Sequence, residues 1–236
     1  MSHDVPQGLL EQLKTLDTPT VCNAIEVAQG RRGFADFTRQ TMYWSEPAER
    51  CMVGFARTAT IAGSERPEEG KEVLRARRMD YFRSMADGPR PGVAVIEDAD
   101  GKAAIGAWWG EVHAYAHGHV FGLCGAITNG LMRDLDDLPS GFPILAGGIG
   151  PSHGFVHVRK IGTPVTVMGL QVCEGDLLHA DQHGAIVIPP DVIPGLPAAI
   201  DLLHSSENLV LGPIKAGRVS LADFELNWAA FERART

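Results

Sequence analysis

Apolar positions along the chain alternate between a helical and an extended rhythm. Leu9, Leu10 and Leu13, then Val21, Ala24, Ile25 and Ala28, recur at helical spacing. The spacing predicts a helical stretch over residues 8 to 29. Asp17 or Thr18 caps its second part, Pro19 sits near the first turn, and Gly30 ends it. Val53 to Ile61 alternates and is β-rich, which predicts a strand. Residues 72 to 86 fit a helix built around Val73, Leu74, Met79, Phe82 and Met85, with Arg75, Arg77 and Arg78 on its wet face. Val93 to Glu97 is continuously apolar, as a buried strand is, and Ala103 to Ala107 reads as a further short strand.

Beyond Gly110 the pattern predicts a helix opened by Glu111, then a strand over Leu123 to Thr128 and a turn at Asn129-Gly130. Phe142 to Ala146 reads as a strand, followed by a flexible GGIGPSHG loop. Thr163 to Val172 reads as one strand, and GDLLHAD with Gly184 to Ile188 as a hairpin halted by Pro189-Pro190. Two helical pieces close the chain, Ala198 to Leu209 and an amphipathic tail with Leu221, Phe224, Trp228 and Phe231.

The chain has 236 residues, enough for one domain with a sizeable core plus terminal extensions. It carries 29 acidic against 21 basic residues, a formal charge of −8. That argues against a general nucleic-acid footprint, which needs a basic face. Residues 31 to 52 interleave Arg31 and Arg32 with Phe34, Phe37, Tyr43 and Trp44, a mixture that suits a subunit interface better than a nucleic acid in so acidic a chain. Cys22, Cys51, Cys124 and Cys173 are widely spaced, as free thiols in a reducing cytosol are. No apolar run approaches the ~18 residues of a membrane span, and MSHDVPQGLL lacks the layout of a secretory signal. A cytoplasmic location is expected.

Candidate chemistry concentrates between Gly106 and Phe142. Gly110 lets a backbone approach a ligand closely, and amides at a helix start opened by Glu111 suit an anion. Further on, Arg133 and Asp134 stand side by side. A guanidinium suits a carboxylate or an oxyanion, and a carboxylate suits a hard divalent ion. The ordinary alternative is a pair of surface charges. Trp108 and Trp109 either wall the site or fill the core. His113 and His117 have a spacing that can chelate a metal, but without an HEXXH pattern they read as exposed or satisfied histidines. Asp136 and Asp137 read as exposed loop charges, and Asp176 and Asp181 as local turn residues. Five lysines are present (14, 71, 102, 160, 215), none of them in this block, so no Schiff-base lysine is at hand.

Gly110-Glu111, a helix, GAITNG and then LMRD resemble the central block of the RraA-like family, which includes class II 4-hydroxy-4-methyl-2-oxoglutarate/4-carboxy-4-hydroxy-2-oxoadipate aldolases and the regulator of ribonuclease E activity. LKTLDTPTVCNAIE, VGFARTATI, FPILAGGIGP and GTPVTVMGLQVCEGDLLHADQHGAIVIP extend the resemblance over about residues 9 to 190. It implies a single α/β domain over 1–236, an αββα sandwich with a swivelling β/β/α-type core, with 191–236 as a helical extension. It also implies a homotrimer or hexamer with sites between subunits. As an aldolase, the chain would release pyruvate from a small 4-hydroxy-2-oxo acid and decarboxylate oxaloacetate as a side activity. Asp134 would hold Mg2+ or Mn2+, Arg133 would meet the C2 oxygen, and the backbone at Gly110, Glu111 and Val112 would hold the carboxylate. Glu111 would act near the metal through water or move a proton. The alternative is a non-catalytic, protein-binding regulator. Two features depart from the aldolase pattern. The gap from Glu111 to Arg133 is 21 residues, one longer than usual, and Asp137 stands where aldolases carry Gly.

Overall fold

The computed structural model describes residues 5–46, 48–217 and 219–235. The first four residues of the N-terminal stretch read above lie outside them. Helices α1 (Leu9–Lys14) and α2 (Thr18–Gln29) open the fold. The signals read for α2 act as expected: Asp17 accepts the Thr20 N–H, Pro19 lies in the first turn, and Gly30 closes the helix at φ 62°. A two-residue strand, β1 (Tyr43–Trp44), follows, then the long β2 (Met52–Ala62), α3 (Lys71–Ala86) and β3 (Gly92–Asp98). Arg77 is only half exposed, because it reaches Glu69 and the Val158 carbonyl. It therefore leaves the wet face assigned to it, and Tyr81 joins Met85 as the buried face of α3.

Next come β4 (Ala107–Trp109), α4 (Glu111–Tyr115) with a π turn over Ala116–Val120, β5 (Leu123–Met132) and β6 (Ile144–Ile149). Three expectations fail here. Residues 101–103 form a 3-10 turn, and the strand starts only at Ala107. GGI of the supposed loop belongs to β6. Asn129-Gly130 does not turn. Strand β5 runs straight through with a bulge, because the Asn129 amide accepts the Asp98 N–H and donates to the Asp98 carbonyl, doubling the ladder to β3. The later elements are β7 (His157–Ile161), β8 (Val165–Val167), β9 (Leu170–Val172), β10 (Leu177–Asp181), β11 (Gly184–Val187), α5 (Leu196–Ala216) and α6 (Leu221–Arg235). Thr163 to Val172 is thus a hairpin rather than one strand. It turns at Met168-Gly169, both left-handed.

The main sheet has the order β1-β6-β5-β3-β2-β10-β11. Strands β2, β3, β5 and β6 are mutually parallel, while β1, β7 and β10 run against their neighbours. Alternation on β3 splits the core. Val93 and Val95 face the β8–β9 hairpin, and Ala94 and Ile96 face α3 and the two tryptophans. A third cluster joins α1, α2 and α5 to Val53, Phe55, Leu177 and Ile186. Asp176 is the local turn residue expected, accepting the Cys173 N–H. Asp181 does more: besides the His183 N–H, it accepts the N–H of Thr18 and pins the start of α2 to β10.

Asp98, at the end of β3, is 1% exposed. One carboxylate oxygen accepts the Asp100 N–H, and Oδ2 has no partner among the described residues. Burial pushes its pKa up to about 6. The native state therefore holds this proton more tightly than the unfolded chain does. The stabilisation this gives is complete at low pH and is lost as pH rises through about 6. Asp98→Asn is expected to raise the Tm by roughly 3–6 °C at pH 7.5 and to change it little at pH 5. Thermal melts at the two pH values check this.

Candidate functional site

Two loops meet because two strands are in register. Strand β4 runs parallel to β5, with Trp109 opposite Met132. Both strands end there, so Gly110 and Arg133 emerge side by side, and the Arg133 N–H donates to the Trp109 carbonyl at 2.9 Å. This is the carboxyl edge of parallel strands, where α/β sheets place their sites. All five residues expected from the sequence, Gly110, Glu111, Val112, Arg133 and Asp134, lie at this junction.

The junction is tight. Asp134 Oδ2 accepts the Glu111 N–H at 3.2 Å and stands 3.6 Å from Arg133 Nε. Asp134 is left-handed at φ 57°, one of two such non-glycine residues among those described. A β-carbon costs energy in that region, and Asp and Asn tolerate it best. Gly110 is extended at φ −157°, so its backbone would suit any residue. A Cβ there would lie 2.5 Å from Asp134 Oδ2 and 3.1 Å from Arg133 Nε. Close approach, rather than backbone freedom, is what requires glycine. The terminal nitrogens of Arg133 and Asp134 Oδ1 make no hydrogen bond or ion pair with any described residue beyond these contacts. Glu111 is exposed, as are Asp136 and Asp137. The Glu111 N–H is committed to Asp134. Of the three amides expected to hold a carboxylate, that one instead orients the acid, while the Val112 N–H lies in a first turn and has no intrahelical acceptor.

Beside the junction lies a cavity of about 810 Å³. Gly110, Val112 and Arg133 line it, with Trp108, His113, the segment around Arg66 to Arg78, and His153 to His157. The walls from 66–78 and 153–157 were not picked out in the sequence. Trp108 both walls the cavity and packs in the core, whereas Trp109 is fully buried against His117 and Phe142.

His113 and His117 do not form a chelating pair. His113 Nδ1 donates to the Trp108 carbonyl at 2.8 Å and its ring lies 4.4 Å from the Trp108 indole. His117 is buried, its Nδ1 donates to the His113 carbonyl, and its Nε2 accepts from the Tyr81 hydroxyl at 2.7 Å. A carbonyl only accepts, so each ring is a neutral Nδ1–H tautomer. Burial pushes His113 down to about 4 and His117 down to about 3. Unfolded histidine protonates near 6.5, so the unfolded chain binds more protons below that pH. Stability is fully present above about 6.5 and is lost as pH falls toward 4 and 3. His117→Gln is expected to flatten the slope of stability between pH 6 and 4.5 by up to about 1.4 kcal/mol per pH unit. Urea midpoints across that range measure it.

Among the described residues, no group of three or more His, Cys, Asp and Glu could cage a metal ion. The lone free carboxylate oxygen of Asp134 fits a different case. Mg2+ keeps most of its waters and takes one or two carboxylates plus substrate oxygens.

A mixed sheet with a parallel centre, carrying an Arg-Asp pair at the carboxyl edge of that centre, defines an α/β protein with its candidate site in the loops after two adjacent strands. Residues 18–187 match the family model RraA-like, described as Aldolase/RraA, and the chain belongs to that family. It is 24% identical over 193 residues to protein DlpA of Legionella pneumophila, covering 80% of this chain but 28% of that protein. This chain thus spans less than a third of that relative's length. Among solved structures, an uncharacterised protein of Pseudomonas syringae superposes with a TM-score of 0.68 at 18% identity, over 98% of both chains. RraAS2 of Streptomyces coelicolor, described as an unusual member of the RNase ES inhibitor RraA protein family, gives 0.62 at 21% identity. That match covers 91% of this chain and 99% of the other. At these identities the structural likenesses establish the fold.

Proposed function

We propose that the protein is a divalent-metal-dependent lyase that cleaves a 4-hydroxy-2-oxo acid to pyruvate and decarboxylates oxaloacetate through the same enolate. The observation that carries this reading is the Arg133 guanidinium, its Nε paired with Asp134 and its terminal nitrogens uncommitted to any described residue, beside an Asp134 whose left-handed backbone and Glu111 N–H bond leave one carboxylate oxygen free. A guanidinium that lines a cavity, with an acid against it, suits a small anionic ligand better than a protein surface. The similarity to an inhibitor-family member supports the fold equally under either reading.

Bound Mg2+ or Mn2+, held by Asp134, would supply Lewis acidity toward the oxo acid. The residues do the rest. Arg133 offers its free nitrogens to the C2 oxygen, where negative charge grows as the C3–C4 bond breaks. It stabilises the transition state more than the ground state. Gly110 leaves room for the substrate carboxylate against the backbone, with the Val112 N–H as donor. Glu111, exposed at the rim, moves the proton of the 4-hydroxyl. Trp108 closes one side to water. Assembly into trimers or hexamers belongs to the same proposal. Its support is a set of exposed apolar residues, Val112 and Ile149 near the junction and Tyr115 and Val120 further along the helical run that leaves it.

The test is pyruvate release from oxaloacetate and from 4-hydroxy-4-methyl-2-oxoglutarate, with Mg2+ and with excess chelator. Release that disappears with the metal is expected. Release no faster than with the metal ion alone, on both substrates, sinks the lyase reading and favours the regulator.

A further inference from the structure

The cleavage proposed above engages one cation of the cavity, Arg133, and leaves three others unexplained. The side chains of Arg66, Lys71 and Arg78 line the same cavity and make no hydrogen bond or ion pair with any described residue. Lys71, Leu74 and Arg78 follow at i, i+3 and i+7, so they share one face of α3 over about 10 Å. Arg66 lies on the approach to that helix. The acids of this wall do not cancel them. Glu69 is committed to Arg77 at 3.0 Å, which leaves Glu68 alone against three cations. Arg78 lines the same cavity as His113 and Arg133, so the stripe opens onto the space that holds the proposed pyruvyl end of the site. A cationic wall inside a chain of formal charge −8 is a local arrangement, opposite in sign to the whole.

We propose that this wall binds a phosphate, and that the substrate is a 4-hydroxy-2-oxo acid carrying a phosphate ester at the end remote from its pyruvyl unit. The inference rests on the aldol cleavage proposed above. One carboxylate balances one cation. Two unpaired cations, Arg66 and Lys71, next to the uncapped first turn of a 16-residue helix, with Arg78 about 10 Å further along it, suit a dianion with three terminal oxygens. The volume of about 810 Å³ is that of a site for a ligand much larger than pyruvate. The chemistry balances without a further reactant. The 4-hydroxyl loses its proton as the C3–C4 bond breaks, and the bonding pair passes to C3 as the enolate. C3 then takes a proton to give pyruvate. The other product is an aldehyde that still carries its phosphate, the ester bond being untouched.

The test uses unreactive mimics of the remote half: glycerol 3-phosphate, glycerate and glycerol, titrated calorimetrically into the intact protein at 150 mM salt. Glycerol 3-phosphate is expected to bind at least about tenfold more tightly than glycerate, and glycerol not at all. Arg66→Gln and Lys71→Gln, both at exposed positions, should each weaken it about fivefold to tenfold. Glycerate binding as tightly as glycerol 3-phosphate would make this a carboxylate wall and overturn the proposal. So would the absence of binding by both, or binding indifferent to the two substitutions. The titration needs neither metal nor turnover. Failure of pyruvate release would therefore sink the lyase reading while this binding stood, and the converse result would sink the phosphate wall alone.

Discussion

Asp134→Asn is expected to lower metal-dependent pyruvate release by at least about a hundredfold to a thousandfold while leaving the fold intact. The loss corresponds to roughly 3–4 kcal/mol of transition-state stabilisation. Asn is the informative replacement for two reasons. It tolerates the left-handed backbone at φ 57°, and its amide oxygen can still accept the Glu111 N–H now taken by Oδ2. What disappears is the charge, and with it the preference for a hard divalent ion. Asp134→Ala would add a backbone penalty of about 1–2 kcal/mol and blur the result. The measurements are kcat/KM against Mg2+ concentration and a thermal melt of the same sample. Activity within threefold of the parent, at an unchanged metal requirement, would remove Asp134 from the metal site.

Gly110→Ala is expected to cost about a hundredfold in kcat/KM with a stability change below about 1 kcal/mol. The added methyl would stand 2.5 Å from Asp134 Oδ2, so the carboxylate or the Arg133 side chain must move. At φ −157° alanine meets no backbone strain, and the damage is confined to the two side chains. Gly195→Ala is the matched control, since a Cβ there meets nothing within 4 Å. Equal activity in the two variants would show that the spacing of the Arg-Asp pair does not matter to turnover.

Much of this site could be read from the chain, because its chemistry is local in sequence. Arg133 and Asp134 are neighbours, and Gly110 followed by Glu111 announces a close approach at a helix start. The limits of α2 were equally legible, since Asp17, Pro19 and Gly30 act on their own helix ends. What could not be read depends on partners distant in sequence. The meeting of Gly110 with Arg133 is a matter of β4–β5 register. Asn129-Gly130 looks like a turn until the Asp98 main chain is found to satisfy the Asn129 amide. Of the cationic wall, the sequence pattern places only Arg78 on a helix, on its outer face, and leaves Arg66 and Lys71 in a charged loop. Arg78 faces water in the sequence pattern, and only the fold makes that water a cavity. His113 carried a usable signal, since it lies two residues past Glu111 on the same short helix.

One lane of the sheet is shared by two strands in tandem. β6 occupies one side of β5 at Leu131 and Met132, so β4 lies on the other side, in line with β3, which pairs with β5 further back. The intervening residues 99–106 therefore leave and rejoin the same lane. They can lengthen, shorten or change composition without displacing β5, and hence without moving Arg133. Such a layout separates inheritance of the reactive pair from variation of its surroundings. Lineages that share this scaffold can rewrite the detour while the strands that hold Arg133 stay as they were.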